Sequence, residues 1–126
     1  MIVPTLKKVL VADDQPHIAE VVRLSLEDAG CRVEIAASGM EALRKAQVEP
    51  IDLLIIDVAM PDMDGFETVR RLKQIPGRAD VPVIILTGSG DAKVRLEAER
   101  LGVATFFTKP FSPTQLQRRV QKILGI

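Results

Sequence analysis

The chain has 126 residues, 47% of them hydrophobic, which is enough for one core and too little for two ordinary domains. Seventeen Lys plus Arg balance seventeen Asp plus Glu, so no net field draws the chain to nucleic acid or to an anionic membrane, and any functional charge must be local. A single cysteine excludes an internal disulfide, and the absence of Trp and Tyr beside four Phe leaves little for a site built on stacked rings.

Residues 1–5 read as a short N-terminal tail, without the apolar stretch and cleavage site of a signal peptide. The run "LKKVLVA" (Leu6–Ala12) then predicts a first strand, and Pro16 opens a first helix with a stripe at Ile18, Val22, Leu26 and Ala29 that Gly30 ends. "CRVEIAA" alternates Val33 and Ile35 as an outer strand does. Ser38 with Glu41 forms a capping-box signature for a second helix, in which each side chain would satisfy the other residue's free N–H. "IDLLII" (Ile51–Ile56) predicts a third strand. Asp64 with Glu67 repeats the capping signature before a third helix with Phe66, Val69 and Leu72 facing inward. "VPVIIL" (Val81–Leu86) predicts a fourth strand, Val94, Ala98 and Leu101 a helix closed by Gly102, and "ATFFT" (Ala104–Thr108) a very short outer strand. Ser112, Pro113 and Gln115 start a fifth helix bearing Leu116, Val120, Ile123 and Leu124.

Three of the strands are continuous runs of Val, Ile and Leu, the composition of a strand covered on both faces. These three and the two outer strands, alternating with five helices, predict an α/β, doubly wound parallel sheet in one domain over 1–126. No run approaches the ~20 apolar residues that span a bilayer, and the single cysteine suits a reducing compartment. The expectation is a soluble, cytoplasmic protein.

In an open parallel sheet the strands finish on one edge, and ligands bind in the crevice there. The predicted strand ends deliver Asp13 and Asp14, then Asp57, then Thr87, then Lys109 to that rim. Crowded carboxylates resist ionising together unless a cation compensates. Mg²⁺ fits an open acidic rim, because it takes oxygen ligands, keeps waters and is commonly shared with a phosphate; one His and one Cys make no usual zinc site. Asp57, ending a central strand before "VAMPDMDG", is the candidate nucleophile toward phosphorus. Thr87 and Lys109 would hold phosphoryl oxygens, and Gly88, Ser89 and Gly90 permit close approach of such a group.

Simpler readings stand beside these. Asp13 or Asp14 could cap the first helix, and Asp62 and Asp64 suit turn and cap positions. His17 is expected to be solvated, Cys31, Phe107 and Phe111 to pack, Met60 and Met63 to fill a loop, and Arg118, Arg119 and Lys122 to form a wet face.

The segments "VLVADDQP", "DLLIIDVAMPDMDGFE", "VPVIILTGSG" and "FFTKPF", in this order, resemble the receiver domain of two-component response regulators from about Leu6 to Leu124. The resemblance implies a flavodoxin-like sheet of order 2-1-3-4-5. It also implies that Asp57 takes a phosphoryl group from a sensor histidine kinase or phosphotransfer protein, stoichiometrically and not as a turnover enzyme. Mg²⁺ would be held by Asp14, Asp57 and the backbone carbonyl of Ala59, with Asp13 acting through a water. Lys109 would contact the phosphoryl group, Thr87 would shift toward it and Phe106 would be the switch aromatic. The Lys109–Pro110 bond would be cis. A downstream effector would read the surface of the fourth helix, fifth strand and fifth helix, a face that can also pair two copies. Phe106 lacks the hydroxyl of the Tyr often found there, Gly88 stands where Ala is common, and Ala59 and Ser89 are small at positions that tune hydrolysis.

Two other functions use the same fold. A nucleotide or flavin binder would carry a Gly-rich phosphate loop after its first strand, where this chain has two acids. An aspartyl-nucleophile phosphatase could use the same acids, but no second general acid or cap domain is apparent. No output domain follows Ile126, so the chain is expected to act alone or as part of a longer regulator.

Overall fold

The computed structural model describes residues 6–103 and 105–126; the expected tail and the start of "ATFFT" at Ala104 lie outside the described residues. Strands β1 (Lys8–Ala12), β2 (Arg32–Ala36), β3 (Leu53–Asp57), β4 (Val83–Thr87) and β5 (Thr105–Thr108) alternate with helices α1 (Pro16–Asp28), α2 (Gly39–Val48), α3 (Gly65–Gln74), α4 (Ala92–Arg100) and α5 (Pro113–Leu124). The sheet is parallel throughout, in order β2-β1-β3-β4-β5. This is the predicted α/β fold and strand order.

β1, β3 and β4 are buried along their whole length, as their unbroken apolar runs require. Period-two alternation divides their side chains between two cores. Val9, Val11, Leu53, Ile55, Ile84 and Leu86 pack with Ala19, Val22 and Leu26 of α1 and with Leu116 and Val120 of α5. Leu10, Leu54, Ile56 and Ile85 pack with Ala42, Ala46, Phe66, Val69, Leu72 and Ala98 of the other three helices.

Several boundaries differ from expectation for local reasons. The strands begin one or two residues after the apolar runs, and β3 and β4 run one residue further, to Asp57 and Thr87, because the ladder continues through Asp57↔Leu86 and Thr87↔Thr108. The buried stripe of α1 is Ala19, Val22 and Leu26, with Ile18 and Ala29 only half-buried. Of the two capping boxes, the first half of each forms: Ser38 accepts from Glu41 N–H at 3.1 Å and Asp64 from Glu67 N–H at 2.8 Å. The return half does not. Glu41 reaches back to Ala37 N–H at 3.2 Å instead, and Glu67 pairs forward with Arg70 and Arg71. Gly30 and Gly102 end their helices at φ +90° and +66°, the left-handed region that glycine occupies without strain.

At the edge of the sheet remote from the strand C-termini, Lys8 is 7% exposed. Its ammonium pairs with Glu34 at 2.8 Å and with Glu49, and its N–H donates to Asp52. Burial lowers the Lys8 pKa, but the two carboxylates outweigh it and hold the value above the ordinary one; Lys8 in turn holds Glu34 below its own. The raised lysine stabilises the fold below the unfolded lysine value of about 10.4, and this is lost as pH rises through the folded value. The depressed Glu34 stabilises it above about 4.3, and this is lost as pH falls. Lys8→Met should therefore cost about 1–2 kcal/mol at pH 7 in urea unfolding and less at both pH extremes; equal loss at every pH would refute the pairing.

Candidate phosphoryl-transfer site

The first four expected site residues arrive where β1, β3 and β4 end, and Lys109 follows β5. Asp13 is 1% exposed, Asp57 4% and Thr87 3%, whereas Asp14 is exposed. One carboxylate oxygen from each of Asp13, Asp14 and Asp57 falls within a span of 4.8 Å. Opposite them, Lys109 Nζ lies 3.2 Å from Asp13 Oδ2, 3.2 Å from Asp57 Oδ2 and 3.1 Å from Gln15 Oε1.

The backbone fixes these side chains. Asp13 N–H donates to Ala36 O at 3.1 Å, extending the β1–β2 pairing one residue beyond the strand, and Gln15 N–H holds Asp13 Oδ1 at 2.9 Å. Ala59 N–H donates to Asp57 Oδ1 at 3.3 Å. Lys109 N–H donates to Thr87 O at 2.7 Å, and the Lys109–Pro110 bond is cis, as expected. Gly65 is required: a Cβ there would stand 2.5 Å from the Asp57 carbonyl oxygen, and Gly65 N–H donates to Val58 O at 2.9 Å.

Burial raises the Asp57 pKa, with the Asp13 charge adding to it, and Lys109 and the Ala59 N–H pull only part of the way back. The corner thus has more carboxylate than its lysine neutralises. An oxygen-only set of one exposed and two buried acids matches what Mg²⁺ takes, open on the side of Asp14.

Thr87 belongs to the corner by position, but its hydroxyl is engaged elsewhere. Oγ1 donates to Ser89 O at 2.9 Å and accepts from Ser89 N–H at 3.1 Å. Phe106 is half-buried beneath Arg95, whose guanidinium carbon lies 5.4 Å from the ring centroid, and Arg95 Nε also donates to Gly90 O at 3.0 Å. A ring without a hydroxyl is held here by a cation from α4. Sequence reasoning missed Gln15, Arg95 and the requirement at Gly65. Gly65 following a capping Asp was the readable signal; the partner of an exposed Arg has none.

His17 is exposed and Cys31 is buried, its thiol pushed up by burial. Met60 is buried in the core and Met63 half-buried, while Arg118 and Lys122 are exposed on α5. A separate cavity of about 890 Å³ between α2 and α3, lined by Met40, Leu43, Arg44 and Ile75 among others, shares no residue with the acidic corner.

A flavodoxin-like sheet thus carries an acid corner and a lysine at its C-terminal rim, where sheets of this class bind ligands. A family model described as the response regulator receiver domain matches residues 9–121, and the chain belongs to that family. It is similar to the alkaline phosphatase synthesis transcriptional regulatory protein PhoP of Bacillus subtilis, 37% identical over 118 residues, which are 94% of this chain and 48% of PhoP. It is also similar to an uncharacterized 14.6 kDa protein of Leptolyngbya boryana, 40% identical over 90% of this chain and 87% of that one. Among solved structures, the chemotaxis protein CheY4 of Vibrio cholerae matches with a TM-score of 0.90 and 38% identity, covering 95% of this chain and all of CheY4. The chain spans about half the length of PhoP, at 48%. The nucleotide-binder and phosphatase readings are not favoured. Among the described residues, no helix is long and apolar enough to cross a membrane.

Proposed function

We propose that Asp57 is the phosphoacceptor of this receiver domain. The observation that carries the reading is the Lys109 ammonium bridging Asp13 and Asp57 within a three-carboxylate corner. A carboxylate oxygen of Asp57 attacks phosphorus, the P–N bond of a phosphohistidine breaks, and the imidazole nitrogen leaves with the electron pair. The product is an acyl phosphate on Asp57, formed once per chain.

Asp14, Asp57 and the Ala59 carbonyl would hold Mg²⁺, with Asp13 behind them. When bound, the cation neutralises charge on the transferring group. Lys109 is placed to exchange its bond to Asp57 Oδ2 for one to a phosphoryl oxygen, so it neutralises charge before and after transfer. Thr87 can give the phosphoryl group a hydroxyl only by releasing Ser89, which makes its hydroxyl a two-position element. Phe106, beside Thr108 on the same strand, follows that movement, and a protein effector reads the face of α4, β5 and α5, through which two copies can also pair. The partners are a cytoplasmic histidine kinase or phosphotransfer protein upstream and an effector protein downstream; neither nucleic acid nor membrane is contacted directly.

The test is intact mass after incubation with Mg²⁺ and a small acyl-phosphate donor. The wild type should gain one phosphoryl group, and Asp57→Asn none. A wild type that gains nothing, or an Asp57→Asn variant that gains as much, refutes the assignment.

A further inference from the structure

The first turn of a helix leaves its leading N–H groups without partners in the same helix. In α2, Ser38 Oγ satisfies Glu41 N–H. The two preceding donors, Gly39 N–H and Met40 N–H, reach Asp62 instead, at 3.3 Å to Oδ1 and 3.1 Å to Oδ2. Asp62 belongs to a different part of the chain, the β3–α3 loop that also carries Ala59.

The approach of the two segments is built in. A Cβ at Gly39 would stand 2.4 Å from Thr68 Oγ1 of α3 and 3.2 Å from Met63 O of the loop, so glycine lets α2 start close against both. The loop's far end is closed by Gly65 N–H on Val58 O and by Asp64 capping α3. Between these fixed points, Asp62 is exposed and supplies the tie to α2. Partial burial raises its pKa, but the N–H groups of Met40, Gly39 and Met63 outweigh this and keep it below the ordinary carboxylate value, so the tie is ionised at neutral pH.

We infer that Asp62 is a positioning residue: bonded twice to the first turn of α2, its carboxylate anchors the β3–α3 loop and so holds the Ala59 carbonyl in place for the cation of the acidic corner. The inference rests on the phosphoacceptor reading above, which assigns Ala59 to the cation. It adds a residue that touches neither cation nor phosphoryl group and acts through the backbone.

Backbone NMR on the full chain, titrated with Mg²⁺ alone, separates the possibilities. Asp62→Ala should weaken Mg²⁺ binding by about tenfold, the low end of what loss of a group orienting metal ligands costs, and should speed hydrogen exchange at Gly39 and Met40. Asp62→Asn drops the charge but keeps one acceptor oxygen, so its affinity should return toward wild type. An Asp62→Ala variant with wild-type Mg²⁺ affinity overturns the inference, even if its melting temperature falls. So does an Asp62→Asn variant as weak as Asp62→Ala, which would make the effect one of charge. A wild type that binds no Mg²⁺ overturns the phosphoacceptor reading and this inference with it.

Discussion

Lys109→Met is expected to reduce the rate of phosphoryl gain on Asp57 by about 10²-fold or more, the usual cost of removing one preorganised charge-stabilising donor. The lysine is the group that most lowers the Asp57 pKa against burial and the Asp13 charge. Without it, Asp57 stays protonated to a higher pH and offers less carboxylate for attack. The stability consequence has a definite sign. A carboxyl whose folded pKa lies above its unfolded value destabilises the fold as pH rises between the two values, since the folded state holds the proton more tightly. Moving that folded value upward extends the loss, so Lys109→Met should melt closer to wild type at acid pH than at pH 8. Mass spectrometry with an acyl-phosphate donor gives the rate, and thermal melts at the two pH values give the sign. A variant phosphorylated at the wild-type rate would sink the role assigned to Lys109.

Gly65→Ala is expected to damage both fold and site, although alanine is the better helix former. The new Cβ would meet the Asp57 carbonyl oxygen at 2.5 Å and Val58 Cα at 3.0 Å, which are backbone atoms of a central strand's end and cannot swing aside. Overpacking of this kind costs about 1–3 kcal/mol, offset by about 1 kcal/mol of helix propensity. The relief available is to push the β3 end away from α3, which displaces Asp57 and lengthens the Gly65 N–H···Val58 O bond. Gly88→Ala is the steric control: nothing lies within 4 Å of its Cβ, and it should leave stability near wild type. Urea unfolding of both variants and phosphoryl gain on Gly65→Ala check the contrast, and equal stability would refute the steric account.

The sheet could be read from sequence because its three inner strands are buried on both faces, which forces unbroken apolar runs, and because Gly30 and Gly102 mark helix ends. Asp13, Asp57, Thr87 and Lys109 could be located because parallel strands all finish at one rim. What could not be read depends on side-chain choice between partners. Nothing in the spacing of Glu67 decides between a free N–H behind it and two arginines ahead of it. The same holds for Thr87, whose hydroxyl closes on Ser89, and for Arg95, which covers Phe106. Asp62 suits a turn by sequence, and its bonds to Gly39 and Met40 exist only once α2 and the β3–α3 loop are brought together.

β5 is four residues long and borders a single neighbour, while β1, β3 and β4 are clasped on both sides. The margin of the sheet therefore has the least hydrogen bonding to surrender. Lys109 directly follows that strand and carries its ammonium into the acid corner, so one side chain joins the corner to the shortest strand of the sheet. On the proposed reading, a phosphoryl group captured at Asp57 would act through that side chain on a strand with a single neighbour, while the middle of the sheet stays clasped on both sides.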